Sequence, residues 1–241
     1  MNISKAVENK IKRMPPGQVF GYGVIPDYEK SPTAVIKAVG RMVKERKLER
    51  VSKGQFYIPK KGLFGPRKPS DNELIKSVLY KGGRLCGYIT GLAIYNKLGL
   101  TTQVPRTITV ACNGSRQTKE FGTIRVKTII TPAPVREQDV KLLQFLDALK
   151  DIKKIPDSDI NLSLKIMRRN ISELQTTELK RMVNLAKQYY SAQTKALVGL
   201  LTSDFNPDLK IKKELALNPT TTYKLKLDIN KWPQAREWNI Q

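Results

Sequence analysis

Ile3, Ala6, Val7, Ile11 and Met14 recur at steps of three and four, the spacing of one helix face. The pattern predicts a helix over residues 2–14, ended by Pro15-Pro16-Gly17. Gln18 to Tyr22, with Val19 and Phe20, suits a small strand or extended link. Residues 23–29 suit one helical turn with Val24, Ile25 and Tyr28 inward. Ser31 is a good N-cap and Pro32 fits the first helical position, so a helix is expected over 31–47. Its apolar stripe is Val35, Ile36, Val39, Met42 and Val43, and its polar face is Thr33, Lys37, Arg41 and Lys44. The period then drops to two. Leu48–Ser52 and Gln55–Ile58 read as strands around a Lys53-Gly54 turn, closed by Pro59. Helix, link, short helix, helix and hairpin follow one another in the order of a winged helix-turn-helix.

Residues 60–69 are rich in Gly, Pro and basic charge and read as a linker. Ser70-Asp71-Asn72-Glu73 then has the form of a capping box opening a helix through about Leu79. Beyond it the pattern is mixed. A helix is expected over Ile89–Leu98. Strands are expected over Arg106–Ala111 and Thr123–Ile130, joined by a polar region at Asn113-Gly114, and a last strand over 220–228. From Val140 helices dominate, with apolar faces at Leu142, Leu143, Phe145, Leu146 and Leu149, and at Leu179, Met182, Val183, Leu185 and Ala186. The fold class expected is α+β: a winged helix-turn-helix over 1–60, a basic linker over 61–69, and a mixed α/β, mostly helical domain over 70–241.

Charge sharpens this outline. The chain has 241 residues with 44 Lys and Arg against 21 Asp and Glu, a net charge of +23. Such an excess attracts polyanions, nucleic acid foremost. Residues 1–68 hold 16 of the cations and 5 of the acids, net +11, against 28 and 16, net +12, over 69–241. Less than a third of the chain therefore carries nearly half the excess.

A helix enters the major groove when its exposed face is narrow and polar and its other face is anchored in a core. The candidate reading face is Thr33, Lys37 and Arg41. Ser31 and Thr33 lie at the helix start, where free N–H groups favour a phosphate, and Lys44 lies near its end. Arg50, Lys53 and Gln55 flank the wing tip. Phe56 and Ile58 are expected beneath the helix, and Tyr57 fits either the core or the DNA side. Lys60, Lys61, Arg67 and Lys68 add charge suited to phosphate without sequence information. Arg84, Arg106, Arg116, Lys119, Arg125 and Lys127 gather around the later strands as a candidate second basic surface, with Arg125 and Lys127 on one strand face.

Three stretches carry a family resemblance. Leu48-Glu49-Arg50-Val51-Ser52-Lys53-Gly54-Gln55-Phe56-Tyr57-Ile58-Pro59, residues Thr90 to Pro105 (TGLAIYNKLGLTTQVP) and Leu185 to Leu201 (LAKQYYSAQTKALVGLL) resemble segments of the AbiEi family of bacterial antitoxins. Leu217 to Ile240 is similar as well. The resemblance implies an antitoxin that binds inverted repeats in its own operon promoter and represses it. It also implies pairing with a nucleotidyltransferase-like toxin, without a stable complex, and a second domain serving neutralisation and cooperative DNA binding. The reading-helix residues are not part of that resemblance. Two other readings stay open: a module that masks a partner toxin, and a winged-helix regulator with no toxin.

Other chemistries find little footing. Histidine is absent, so no serine or cysteine nucleophile has a histidine base, and Cys86 and Cys112 fit no metal-ligand spacing. Asp139, Asp147 and Asp151 fall at helical steps and read as a solvated charged face rather than a metal cluster. No P-loop or dinucleotide fingerprint occurs. The reading is therefore of a non-enzyme that needs no cofactor and no metal. Residues 1–13 hold no apolar leader and no stretch reaches a membrane span, so a cytoplasmic, nucleoid-associated bacterial protein is expected. No heptad seam is present for a dimer, so a monomer on each half-site is compatible.

Overall fold

The computed structural model describes residues 3–63, 65–203, 205 and 215–241; Asn2 and Phe64, included in the expected first helix and linker, lie outside them. The architecture is α+β, and the chain divides into two units: Met1–Gly87 with Thr118–Val126, and Tyr88–Gln117 with Lys127–Gln241.

The first unit opens with α1 (Ile3–Lys12), strand β1 (Phe20–Gly21) and a single 3-10 turn at Tyr22–Val24. Helix α2 (Pro32–Lys44) follows, with Pro32 in its first turn. Strands β2 (Glu49–Ser52) and β3 (Gln55–Tyr57) come next, and the antiparallel sheet runs β1-β3-β2. The core beneath it joins Val7 and Ile11 of α1, Val35, Ala38, Val39 and Met42 of α2, and Phe20, Ile25, Leu48 and Phe56. Each fully buried Val, Ile or Phe contributes about 1.5–3 kcal/mol, which fixes α1 and α2 against the sheet. The winged helix-turn-helix order is thus present. Two inward assignments differ. Val24 is exposed, and so is Ile36, at 43%. Ala38 takes the inward place that Ile36 was expected to fill.

Residues 61–69, expected as a linker, instead form part of a second hairpin, β4 (Lys60–Gly62) with β5 (Gly65–Arg67). Pro69 is buried, and Ser70 caps α3 (Asp71–Leu79) by accepting from the Glu73 N–H. The amide of Gln55 donates to the Ser77 carbonyl at 3.3 Å. That bond ties α3 to the winged sheet, so the chain has no break at 61–69. A miniature hairpin, β6 (Tyr80–Lys81) with β7 (Arg84–Leu85), completes this stretch. Its turn is Gly82-Gly83, with φ of +55° and +77°, values that glycine adopts without strain.

In the second unit the expected helix over Ile89–Leu98 splits. Gly87–Thr90 is strand β8, and helix α4 covers Leu92–Lys97 only. Gly91 between them has φ +69°, and a Cβ there would press on the Thr109 side chain at 3.3 Å, so the chain turns at that point. Strands β9 (Thr107–Cys112), β10 (Gln117–Glu120) and β11 (Arg125–Ile130) follow in the chain; the sheet order is β10-β11-β9-β8, and Thr118–Val126 is counted in the first unit. Helices α5 (Val140–Lys150), α6 (Ile160–Ser172), α7 (Thr176–Tyr189) and α8 (Ala192–Thr202) supply most of the second unit's core, and Trp238 of a 3-10 segment, Pro233–Trp238, is buried in the same core. A side chain at Gly199 of α8 would overlap the Trp238 ring, its Cβ falling 2.1 Å from a ring carbon. The strand expected over 220–228 reduces to a single parallel bridge, Tyr223 with Ile240. Cys112 is buried and Cys86 half-buried, both as free thiols.

Candidate nucleic-acid interface

The exposed side of α2 carries Thr33, Ile36, Lys37, Gly40, Arg41 and Lys44, all at steps of three and four and opposite the buried Val35, Ala38, Val39 and Met42. Among the described residues Lys37, Arg41 and Lys44 have no carboxylate in ion-pair reach. The first unit's Glu8 and Glu45 are spent elsewhere: Glu8 lies 3.1 Å from Lys12, and Lys47 lies 2.7 Å from Glu45 and 3.8 Å from Glu8. Those pairs lower Glu8 below its ordinary value, through Lys12 first, and raise Lys47, through Glu45 first. Glu8 and Glu45 are therefore taken up beside Lys12 and Lys47, and the outer face of α2 is left cationic.

Arg41 is held. Its Nη2 donates to the Ser4 hydroxyl of α1 at 2.9 Å, which orients the guanidinium and leaves its other donors for a partner. Ser31 makes no capping bond to the helix start. Ile36 and Gly40 were missed as members of this face, although Ile36 lies three residues after Thr33 and four before Gly40, steps that assign it to the polar side. Gly40 has nothing within 4 Å of where a Cβ would stand. Its missing side chain leaves a shallow place in the centre of the face.

The wing projects Lys53, exposed beside Gly54, whose φ is +75°. An aromatic cluster sits under it: Tyr22 stacks on Tyr28 and meets Phe56 edge-on, each with ring centres 5.2 Å apart. Arg50 is exposed but folds back, its Nε donating to the Ser52 carbonyl at 3.2 Å. Gln55, grouped by sequence with the contact residues, is engaged at both ends of its amide. It accepts from Ser52 at 2.8 Å and donates to Ser77 at 3.3 Å, so it braces the wing. Tyr57 is buried but does not join the core that holds Phe56, its neighbour on the strand; its hydroxyl donates to Glu49 across the strand pair. Burial, then that bond, push its phenol well above its ordinary value. Phe56 is buried and Ile58 packs against the same core, as expected. Lys60 and Lys61 are exposed on β4, with Arg67 and Lys68 exposed nearby.

The second basic set does not form one surface within either unit. Arg84, Lys119 and Arg125 belong to the first unit, and Arg106, Arg116 and Lys127 to the second. Arg125 and Lys127 do share the exposed face of β11, but Arg125 is paired with Glu120 at 2.7 Å, and Lys119 is half-buried.

Asp139, Asp147 and Asp151 are not a solvated face. Asp139 is buried, and Arg181 grips both its oxygens, at 2.9 and 2.7 Å. That guanidinium holds the Asp139 carboxyl below the usual range. Asp147 is buried among Tyr88, Thr90 and Tyr190, whose hydroxyls donate to it at 2.9, 2.8 and 3.1 Å, and Lys150 at 3.0 Å. Tyr95 donates to Asp151 at 2.9 Å. Burial foremost, then the neighbouring carboxylates, raise Tyr88, Tyr95 and Tyr190 well above the ordinary phenol range, so they remain donors. The steps of eight and four hid this, because helical spacing alone does not say which side of α5 faces the core. Among the described residues no group of three His, Cys, Asp or Glu side chains is placed to hold a metal ion, and no helix is long and apolar enough to cross a membrane.

A family profile described as "Family of unknown function (DUF6088)" matches residues 6–179. No curated protein matches the chain. Among solved structures, the RV2827C protein from Mycobacterium tuberculosis is similar at 13% identity, with 92% of this chain and 84% of that chain covered and a TM-score of 0.46.

Proposed function

The chain belongs to the DUF6088 family, and for this member we propose a duplex-DNA-binding regulator that reads sequence through α2. The observation that carries the proposal is the outer face of that helix: unpaired Lys37 and Lys44, an oriented Arg41, and an exposed Ile36 over a rigid core. In the major groove Arg41 reaches guanine O6 and N7, and Ile36 meets a thymine methyl. Gly40 lets the helix approach closely. Ser31, Thr33, Lys37 and Lys44 take phosphates, and Lys53 on the wing reaches the neighbouring backbone or minor groove. The test is selection of a preferred duplex from a random pool, followed by titration of that duplex and of unselected DNA. Arg41→Ala relaxes the preference, and Lys53→Ala weakens both duplexes alike. Equal binding of selected and random duplex by the unaltered protein contradicts the reading.

The regulator is further proposed to be an antitoxin and autorepressor of its own operon in the bacterial cytoplasm, opposing a nucleotidyltransferase-like toxin without a stable complex. Support for this part is the resemblance at 48–59, 90–105 and 185–201. Coexpression with the adjacent gene product tests it: restored growth without co-purification is the expected result. Stable co-purification points instead to a masking module, and failure to restore growth removes the antitoxin role.

A further inference from the structure

The β4–β5 hairpin stands outside the core of its unit. Its described residues are exposed apart from a half-buried Gly62, and none of them belongs to that core. A two-stranded hairpin is marginal by itself in water. This one also sets like charges opposite each other, since Lys60 faces Arg67 across the ladder, an arrangement that costs stability. Lys61 and Lys68 add two more cations. Among the described residues none of the four has a carboxylate within ion-pair reach, and residues 60–68 contain no acid. The base is nonetheless fixed. The Gly17 N–H donates to the Ile58 carbonyl at 2.8 Å, the Lys60 stem lies against Gly17, and buried Pro69 leads directly into the cap of α3. At the far end Leu63 is 91% exposed, the most exposed large apolar side chain among the described residues.

We propose that this hairpin is a second DNA arm, which places its four cations along the phosphates and Leu63 in the minor groove as a wedge that bends the duplex. The proposal rests on the reading of the first unit as a duplex binder, and adds to it a contact and an activity. Charge decides the occupant. A tip that is apolar between four unpaired cations complements a polyanion whose groove floor is apolar enough to accept a side chain. Minor-groove proteins insert leucine in this way between base steps and bend the helix by about 20–90°.

The experiment uses the full chain and a selected duplex labelled at both ends for energy transfer. The unaltered protein is expected to shorten the end-to-end distance. Leu63→Ser, which removes no packing, is expected to bind within a few-fold of the same affinity and leave the duplex straight. Lys61→Ala is expected to keep the bend at saturation while lowering affinity and reducing the slope of log affinity against log salt by about 1. If the selected duplex is bound without bending, or Leu63→Ser bends it equally, the arm is overturned while the α2 reading stands. If no duplex is preferred or bound, both are overturned.

Discussion

At Arg41 the bond to Ser4 turns a flexible cation into an oriented one, and at Ile36 an exposed side chain in the same face adds a site for an apolar contact. Replacing a contacted thymine by uracil removes only a methyl group, worth about 0.8 kcal/mol when buried, or roughly fourfold in affinity. Ile36→Ala is expected to abolish that thymine preference at one position of the selected duplex; an unchanged thymine-to-uracil ratio places Ile36 outside the groove. Gln55 is the contrasting case. Its amide braces Ser52 and Ser77, so Gln55→Ala is expected to cost about 1 kcal/mol in urea unfolding and leave sequence preference intact. A changed preference at unchanged stability would return Gln55 to the interface. Thr33, Lys37, Arg41 and Lys44 were legible as a polar face because helical spacing governs exposure directly. Gln55 and Tyr57 were not, since their partners lie on other elements and a strand's period of two does not say which face is covered. Ile36 was misread because an apolar residue beside Val35 was taken with its neighbour instead of by its angle around the helix.

Among the elements, α5 and α7 are joined through Asp139 and Arg181, a bidentate pair with the carboxylate buried. Truncating one partner of a fully buried pair costs about 3–5 kcal/mol. Arg181 is partly hydrated, so Arg181→Ala is expected to cost about 2–3 kcal/mol. The pH dependence has a definite sign. Asp139 is held below the ordinary carboxylate value of about 3.9, so its contribution is present above that value and fades as the pH falls through the lowered one. Acid unfolding profiles test this. The unaltered protein should lose stability relative to Arg181→Ala as the pH drops below about 4, and parallel profiles would show that the pair does not couple to folding. Gly199 is the other decisive position, because any Cβ there strikes the Trp238 ring. Gly199→Ala is expected to destabilise by about 1–3 kcal/mol, and an unchanged or raised melting temperature contradicts that packing. The helices of the second unit were legible from apolar steps at 142–149 and 179–186. The short pieces β4 to β8 and β10 were not, being two to four residues long and set by glycine turns and cross-strand partners. A residue window cannot register either.

For the molecule as a whole, net charge of +23 and its bias toward the first unit pointed to a polyanion before any element was known, and the arrangement of that charge is what the structure adds. Glu8 and Glu45 sit beside Lys12 and Lys47, away from the α2 face. The α2 face, the wing tip and the β4–β5 hairpin keep unpaired cations. A surface that neutralises six or more phosphates should lose about a thousandfold in affinity between about 50 and 200 mM salt, on any sequence. What separates a reader of sequence from a general polycation is the residue of specificity that survives such salt. The most direct measurement is therefore fluorescence anisotropy of the selected duplex and a scrambled duplex across that salt range, with the unaltered protein and Arg41→Ala side by side. Expected are parallel, steep salt slopes for both duplexes, a clear preference for the selected one at every salt, and loss of most of that preference in Arg41→Ala. Identical curves for the two duplexes with the unaltered protein, or a preference that Arg41→Ala leaves untouched, would contradict the assignment of α2 as the reading helix.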